Sequence, residues 1–326
     1  MIFIKLTRIL CVFLSFLLYI NSLDAKQEII EHHSRASDKA KSHKHDNIMC
    51  VTIPKSGTHL LVKCLALLNL KNLPFAYNEK FNLDEKMRKA IERNKKLAPD
   101  YDKGAVHIPS VGVQPPQYIA RGMKRGGGHV YKAHWPYTRQ SEQFFDQHTK
   151  ANFFVIRDPR DMIVSMAFFV HKGPDGLKMD VNDLIFDFID GRQQHFVPWA
   201  VGINETYPLL YELGVTGFYK LYLPWMKARK FCTVKFENLI GSKGGGSDEA
   251  QLLEIKNIAK YLGLNLNDSQ VKKVIDNLFG QSSTFREGQI GSWKKYFTVD
   301  MKAAFKKAPG ACELLIALGY EKDTKW

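Results

Sequence analysis

Apolar positions along this chain fall into two rhythms. Short unbroken runs at 48–53, 129–132, 152–157 and 231–236 suit strands buried on both faces, as in a parallel sheet, where alternation with polar residues is lost. Longer stretches predict helices over 58–70, 181–194, 217–230, 248–262 and 269–278. Another helix, running to Phe169, is opened by Asp158 and Pro159, because aspartate is a good N-cap and proline is favoured in a first helical turn. Strands that alternate with helices predict an α/β protein, with one three-layer domain over 48–326 built as a parallel sheet flanked by helices. No internal repeat is visible.

Ahead of that domain the pattern changes. Residues 1–25 join a basic start at Lys5 and Arg8 to an apolar or small run at 9–20 and a small-residue exit at Ala25. This is the layout of a secretory signal peptide. A short membrane anchor stays open as an alternative, since Lys5 and Arg8 can snorkel. Either reading predicts the secretory pathway or a membrane-associated chain, and the Golgi lumen if the source is eukaryotic. Residues 26–47 are polar, mixed in charge and carry His32, His33, His43 and His45. With no apolar face to bury, they read as a flexible stem or linker. Glycine runs at 126–128 and 244–246 lack the strand before and the Lys-Ser/Thr after that mark a phosphate loop, and they are expected to be surface loops.

Composition narrows the picture. An apolar content of 45% in 326 residues excludes the disordered and fibrous classes. The net charge is +14, and residues 1–47 hold seven basic against five acidic side chains, so the excess lies in the predicted domain. That points to an anionic ligand, substrate or surface, with a generally basic solvated surface as the plainer reading. Five cysteines show no CxxC or other metal spacing, and no zinc or other metal site is expected. Cys50, Cys64 and Cys232 lie in apolar runs and are expected as buried free thiols.

The densest chemistry is the run VTIPKSGTHLL at 51–61. A strand that ends in small residues and re-enters as a helix aims several backbone N–H groups at one point, which makes an anion site, and Lys55 adds a full charge. The string GxxxxGK followed by Ser or Thr occurs nowhere, which disfavours a nucleoside triphosphatase. The run instead resembles PKSGTTW, the 5′-phosphosulfate loop of the sulfotransferases that use 3′-phosphoadenosine 5′-phosphosulfate (PAPS). The resemblance implies donor contacts for Lys55, Ser56, Gly57, Thr58 and His59.

Four more segments follow the same family's order. VIRDPRDMIVS at 155–165 resembles the 3′-phosphate segment, with Arg157 offering a bidentate fork and Ser165 a hydroxyl. A local ion pair of Arg157 with Asp158 or Asp161 is the other reading. VYKAHWP at 130–136 is similar to the family's lysine-small-histidine-apolar-proline stretch. It implies His134 as catalytic base, with an ordinary pKa of about 6.5 suited to taking a hydroxyl proton, and Lys132 as a further hold on the departing phosphate. FREGQIGSWK at 285–294 resembles RKGxxGDWK, so Arg286 and the Gly288 N–H are implied to close over the 3′-phosphate. Here Glu287 replaces the family's lysine and Ser292 its aspartate. Glu287 cannot donate to a phosphate, so either binding weakens or the side chain faces water. Tyr219, Trp225 and FEN at 236–238 are similar to the family's helix and FYED-like strand end, which implies an adenine contact for Tyr219. A core tyrosine is the alternative. Leu60 stands where many members carry a tryptophan that stacks on adenine.

The resemblance spans Val51 to Thr298. It implies a P-loop nucleotide-binding-like sulfotransferase fold and in-line transfer of a sulfuryl group from PAPS to a hydroxyl or amine acceptor, leaving adenosine 3′,5′-bisphosphate. The acceptor is expected to be a carbohydrate or small hydroxylated molecule, with no nucleic-acid partner. Residues 77–128 are expected to supply much of the acceptor wall, and the basic run 86–96 either faces an acidic glycan or is a solvated helix. Two rivals remain: a non-catalytic binder of anionic ligands or glycans on the same fold, and a nucleotide kinase. Lys55 and His134 argue against the first, and the absent triphosphate loop against the second.

Overall fold

The computed structural model describes residues 47–68, 106–108, 112–114, 130–172, 180–191, 206–280 and 286–326. The leader, residues 26–46 of the stem, the glycine run 126–128 and most of 77–128 lie outside the described residues. The chain divides into two units, Lys44–Cys312 and one that includes Glu313–Trp326.

Strand β1 (Ile48–Thr52) passes through a tight turn into helix α1 (Thr58–Leu67). Two short strands, β2 (Val106–Ile108) and β3 (Gly112–Gln114), pair antiparallel as a small separate sheet. Then come β4 (Val130–Ala133), α2 (Arg139–His148), β5 (Ala151–Ile156) and α3 (Pro159–His171). Helices α4 (Val181–Asp190) and α5 (Thr206–Lys220) lead to β6 (Phe231–Lys235), the single turn α6 (Phe236–Leu239), α7 (Asp248–Tyr261) and α8 (Asp268–Leu278). Helices α9 (Trp293–Tyr296), α10 (Val299–Lys307) and α11 (Ala311–Ala317) follow.

The main sheet runs β4-β1-β5-β6 with every pairing parallel. Every residue of β1 and β5 is buried, as their unbroken apolar runs require. Alternate residues serve opposite layers. Ile48 and Cys50 of β1 and Phe153 and Val155 of β5 join Leu61, Leu65, Ile255 and Val274 in a core formed with α1, α7 and α8. The other layer holds an aromatic group: Phe145 of α2 lies 4.8 Å from Trp135 and 5.3 Å from Trp225, and Trp225 stacks on Phe231 at 4.4 Å. Each such buried side chain contributes about 1.5–3 kcal/mol. Helices on both faces make the expected three-layer α/β arrangement.

Local sequence explains most boundaries. Asp158 accepts from the Arg160 N–H at 2.9 Å and Pro159 fills the first turn, so α3 begins where predicted. Helix α4 stops at Asp190 because Gly191 turns left-handed after it. The helix predicted over 217–230 differs: α5 begins at Thr206, kinks at Gly214 and ends at Lys220, and Leu223–Lys227 forms a separate 3-10 turn. Pro224 has no N–H to continue the ladder, which accounts for the break. Cys50, Cys64, Cys232 and Cys312 are all free thiols, and burial raises the pKa of the first three. In the second unit, the Leu318 and Tyr320 N–H groups donate to the Leu314 and Leu315 carbonyls and close the chain after α11.

Candidate functional site

Four strands running one way bring their C-terminal ends to one edge, and register decides what meets there. Val51 pairs with Ala133, so His134 leaves β4 level with Thr52. Thr52 pairs with Val155 and Ile156 with Lys235, so Arg157 emerges beside the 53–57 turn and next to Phe236. Ligands of open α/β sheets bind at this edge. The turn itself is closed by the Ser56 N–H donating to the Ile53 carbonyl at 3.1 Å. It places Lys55 at φ 66 and Gly57 at φ 113, both left-handed. Holding a lysine there costs about 1–3 kcal/mol, a strain that functional turns commonly carry. Gly57 is required, because a Cβ would stand 2.7 Å from the Phe236 ring. As N-cap it gives α1 no side-chain bond, which leaves first-turn N–H groups to serve an anion.

Three cations converge on that turn, each laid on an aromatic face. Lys55 Nζ lies 4.4 Å from the Phe169 ring centroid, the Arg157 guanidinium 4.2 Å from Phe236, and the Arg286 guanidinium 4.8 Å from Phe168. Such contacts are worth about 0.5–2 kcal/mol each. Arg157 also donates to the carbonyls of Lys55 at 3.3 Å and Gln289 at 3.2 Å, with Asp161 at 4.0 Å. Asp158 pairs instead with Arg160, at 2.8 Å. Burial lowers the Lys55 pKa to about 8, and repulsion from Arg157 and Arg286 adds to it. Burial likewise brings Lys132 to about 8. His59 falls to about 4 through burial, helped by Lys132 and Lys55.

The segment after Arg286 is held from α3. Buried Asp161 accepts from the Gly291 and Trp293 N–H groups, both at 2.8 Å, and from the Ser292 hydroxyl at 3.1 Å. Ser292 in turn accepts from Arg286 at 3.2 Å, which gives this departure from the family pattern a place in the network. Glu287 does not simply face water, the second of the two expectations held for it. Its Oε1 accepts from Arg286 at 2.9 Å and from the Tyr296 hydroxyl at 2.8 Å, while that hydroxyl accepts from Arg286 at 3.1 Å. Within the 244–246 run Gly245 is exposed, as a surface loop requires, but Gly244 is not. Gly244 is buried, the Ile290 N–H donates to its carbonyl at 2.9 Å, and a Cβ on it would lie 2.7 Å from the Gly288 carbonyl oxygen. Its lack of a side chain lets the 288–290 backbone lie directly on it.

His134 is buried with Nδ1 at 2.9 Å from the Thr52 carbonyl oxygen and 3.0 Å from Thr52 Oγ1, and Thr52 Oγ1 lies 2.7 Å from Thr58 Oγ1. A carbonyl only accepts, so Nδ1 carries the proton and Nε2 of the neutral ring is the basic nitrogen. Its neighbour Trp135 is fixed by the aromatic layer and by the Trp225 Nε1–H, which donates to the Trp135 carbonyl at 2.7 Å. Ser165 is half-buried on α3 and Leu60 half-buried on α1. Tyr219 is fully buried, and its hydroxyl donates to the Arg157 carbonyl at 2.9 Å, beside the Ser56 hydroxyl. Of the two readings held for it, this position favours the core tyrosine. Sequence reading missed Thr52, Phe168 and Phe169, and it held Asp161 only as an ion-pair partner of Arg157, not as the acceptor that fixes the 291–293 turn. The i,i+4 spacing of Arg157 and Asp161 was the one available signal.

A parallel α/β sheet with an anion-type turn and converging cations at its C-terminal edge defines a nucleotide-binding-like fold. The family model for the sulfotransferase domain matches residues 45–311, and the chain belongs to that family of transferase enzymes. It is 22% identical over 285 residues to 3-beta-hydroxysteroid sulfotransferase of Cavia porcellus, covering 81% of this chain and 82% of the relative. Cytosolic sulfotransferase 17 of Arabidopsis thaliana is 23% identical over 289 residues, covering 85% of this chain and 77% of the relative. Among solved structures, a mouse sulfotransferase complexed with PAP shares the fold at a TM-score of 0.51 and 16% identity, over 80% of this chain and 82% of that one. Among the described residues, no group of three or more His, Cys, Asp and Glu gathers as a metal site would. Nor is any helix among them long and apolar enough to cross a membrane.

Proposed function

We propose that this chain transfers a sulfuryl group from PAPS to a hydroxyl acceptor by in-line displacement, with His134 as the base. The observation that carries the reading is the joining of two functions at one edge. The buried chain Thr58–Thr52–His134 links the anion turn to a histidine whose Nδ1–H is committed to a carbonyl. The residues also suit the donor. Lys55 and the N–H groups of Ser56, Gly57 and Thr58, with His59 alongside, match a 5′-phosphosulfate, while Arg157, Arg286, Ser165 and the Gly288 N–H match a 3′-phosphate. A relative solved with PAP supports the same donor. The mutual repulsion of Lys55, Arg157 and Arg286 is relieved by an anion between them.

In the reaction, His134 Nε2 takes the acceptor's hydroxyl proton as the oxygen bonds to sulfur. The sulfur–oxygen bond to the 5′-phosphate breaks, and its electron pair leaves on the phosphate. Lys55, Lys132 and the turn's N–H groups stabilise that charge, since fixed donors in a water-poor site act without reorganising. His134 then returns its proton to solvent, leaving a sulfate ester and adenosine 3′,5′-bisphosphate.

The acceptor proposed first is the hydroxyl of a small molecule, because a relative is named for a hydroxysteroid. A carbohydrate hydroxyl belongs in the same assay. The test is transfer of labelled sulfuryl by the full-length chain across both acceptor classes. Replacing His134 or Lys55 by alanine is expected to lower turnover at least about a hundredfold. Near-normal turnover in either variant removes that residue's role, and a chain that binds no adenosine 3′,5′-bisphosphate loses the whole reading. For organisation, the proposal keeps 1–25 as signal peptide or anchor, 26–47 as stem and 48–326 as the catalytic domain.

A further inference from the structure

We propose that Glu287 is a built-in competitor for the donor's 3′-phosphate, tethered to Arg286 so that donor and spent donor are held less tightly than the cations alone would hold them. This rests on the donor site proposed above. Among the described residues, two carboxylates form ion pairs with these three cations. Asp161 lies 4.0 Å from Arg157, but it is already occupied by two backbone N–H groups and the Ser292 hydroxyl, and its work is to hold the 291–293 turn. Glu287 is different. Its Oε1 closes a triangle in which Arg286 donates to both Glu287 and Tyr296, and Tyr296 donates to Glu287. Both Nη1 protons of Arg286 and the Tyr296 hydroxyl proton are used there without any ligand.

The other oxygen, Oε2, is buried with no hydrogen bond, and Lys295 stands 4.0 Å away. A carboxylate with one oxygen desolvated and unbonded contributes little to stability. Its main effect is its charge, which offsets that of Arg286 where a phosphate must land. A phosphate arriving there either shares Arg286 with Glu287 or displaces it, and like charges repel throughout. Arg286 and Glu287 are 18% and 27% exposed, so the repulsion is half-screened and modest. In a reaction that ends with release of a bisphosphate, loosening this one grip speeds turnover wherever release is limiting.

Calorimetry on the full-length chain tests the idea with two probes, adenosine 3′,5′-bisphosphate and adenosine 5′-phosphate, against Glu287→Gln and Glu287→Ala. Both variants are expected to bind the bisphosphate about five- to tenfold more tightly, the scale of one half-screened charge. Binding of adenosine 5′-phosphate should stay as in the parent, which also shows that the variants are folded. Unchanged bisphosphate affinity overturns the proposal. So does weaker binding in Glu287→Ala with parental binding in Glu287→Gln, since that pattern belongs to a residue that only orients Arg286. Loss of both nucleotides in both variants overturns it too, by making Glu287 a structural support. A parent that binds neither nucleotide instead defeats the underlying function.

Discussion

Lys55 brings its charge to the anion turn at a cost set by burial and by two arginines, and that cost has a pH signature. With the free lysine lowered to about 8, and Lys132 likewise, both are largely charged at pH 7 and lose protons as pH rises through 8. A bound phosphate favours the charged forms, so above that point binding must first recapture protons. Affinity for adenosine 3′,5′-bisphosphate is therefore expected to fall by up to about tenfold per lysine for each pH unit above 8. Titrations from pH 7 to 9.5 check this, and Lys55→Met should flatten the curve. Constant affinity across the range contradicts the lowered pKa values. Lys55, His134 and Arg157 were legible in the sequence because each sits in a short contiguous string whose chemistry is local. Their supports were not. Phe168 and Phe169 reach the site from the far end of α3, and the Thr52 carbonyl acts through a main-chain atom that no residue letter encodes. Tyr219 stayed open between adenine and core because one aromatic in an aromatic-rich helix does not reveal which way it faces.

Among the elements, the four strands of the main sheet were read to within a residue or so, since unbroken apolar runs have few other uses, while the three-residue strands β2 and β3 were not read. Helix α2 was missed because its sequence, RQSEQFFDQH, is mostly polar; a capping box between Thr138 and Ser141 and the burial of Phe145 sustain it. Helix α5 was displaced by Gly214 and Pro224, whose effects depend on what packs around them. The 3-10 turn at Ser242–Gly244 gives the sharpest prediction at this scale. Gly244→Ala puts a methyl against Ile240 and the Gly288 carbonyl, and main chain cannot move aside as a side-chain tip can. Stability is expected to fall by about 1–3 kcal/mol, the range for overpacking. Bisphosphate affinity should fall with it, because Gly288 and Arg286 shift together. Chemical denaturation beside calorimetry measures both, and parental values in each would mean that the loop yields freely.

At the scale of the whole molecule, the family and the three-layer sheet were legible because five motifs fall in order along one chain, whereas the acceptor was not, since its expected wall is spread over residues without local chemistry. Cellular destination belongs to this scale as well. If 1–25 is a leader, a cell making the full chain should protect it from added protease or release a product that begins near Lys26. A chain that keeps Met1 and is cut freely would place it with the relative named as cytosolic. The aromatic faces under Lys55, Arg157 and Arg286 carry one more consequence, and it concerns time. Flexible basic side chains normally have to be gathered when an anion arrives, and the gathering slows capture. Here ring faces keep them extended beforehand, so arrival is governed by diffusion in the field of a strongly basic molecule, and salt acts chiefly on how often the donor lands rather than on how long it stays.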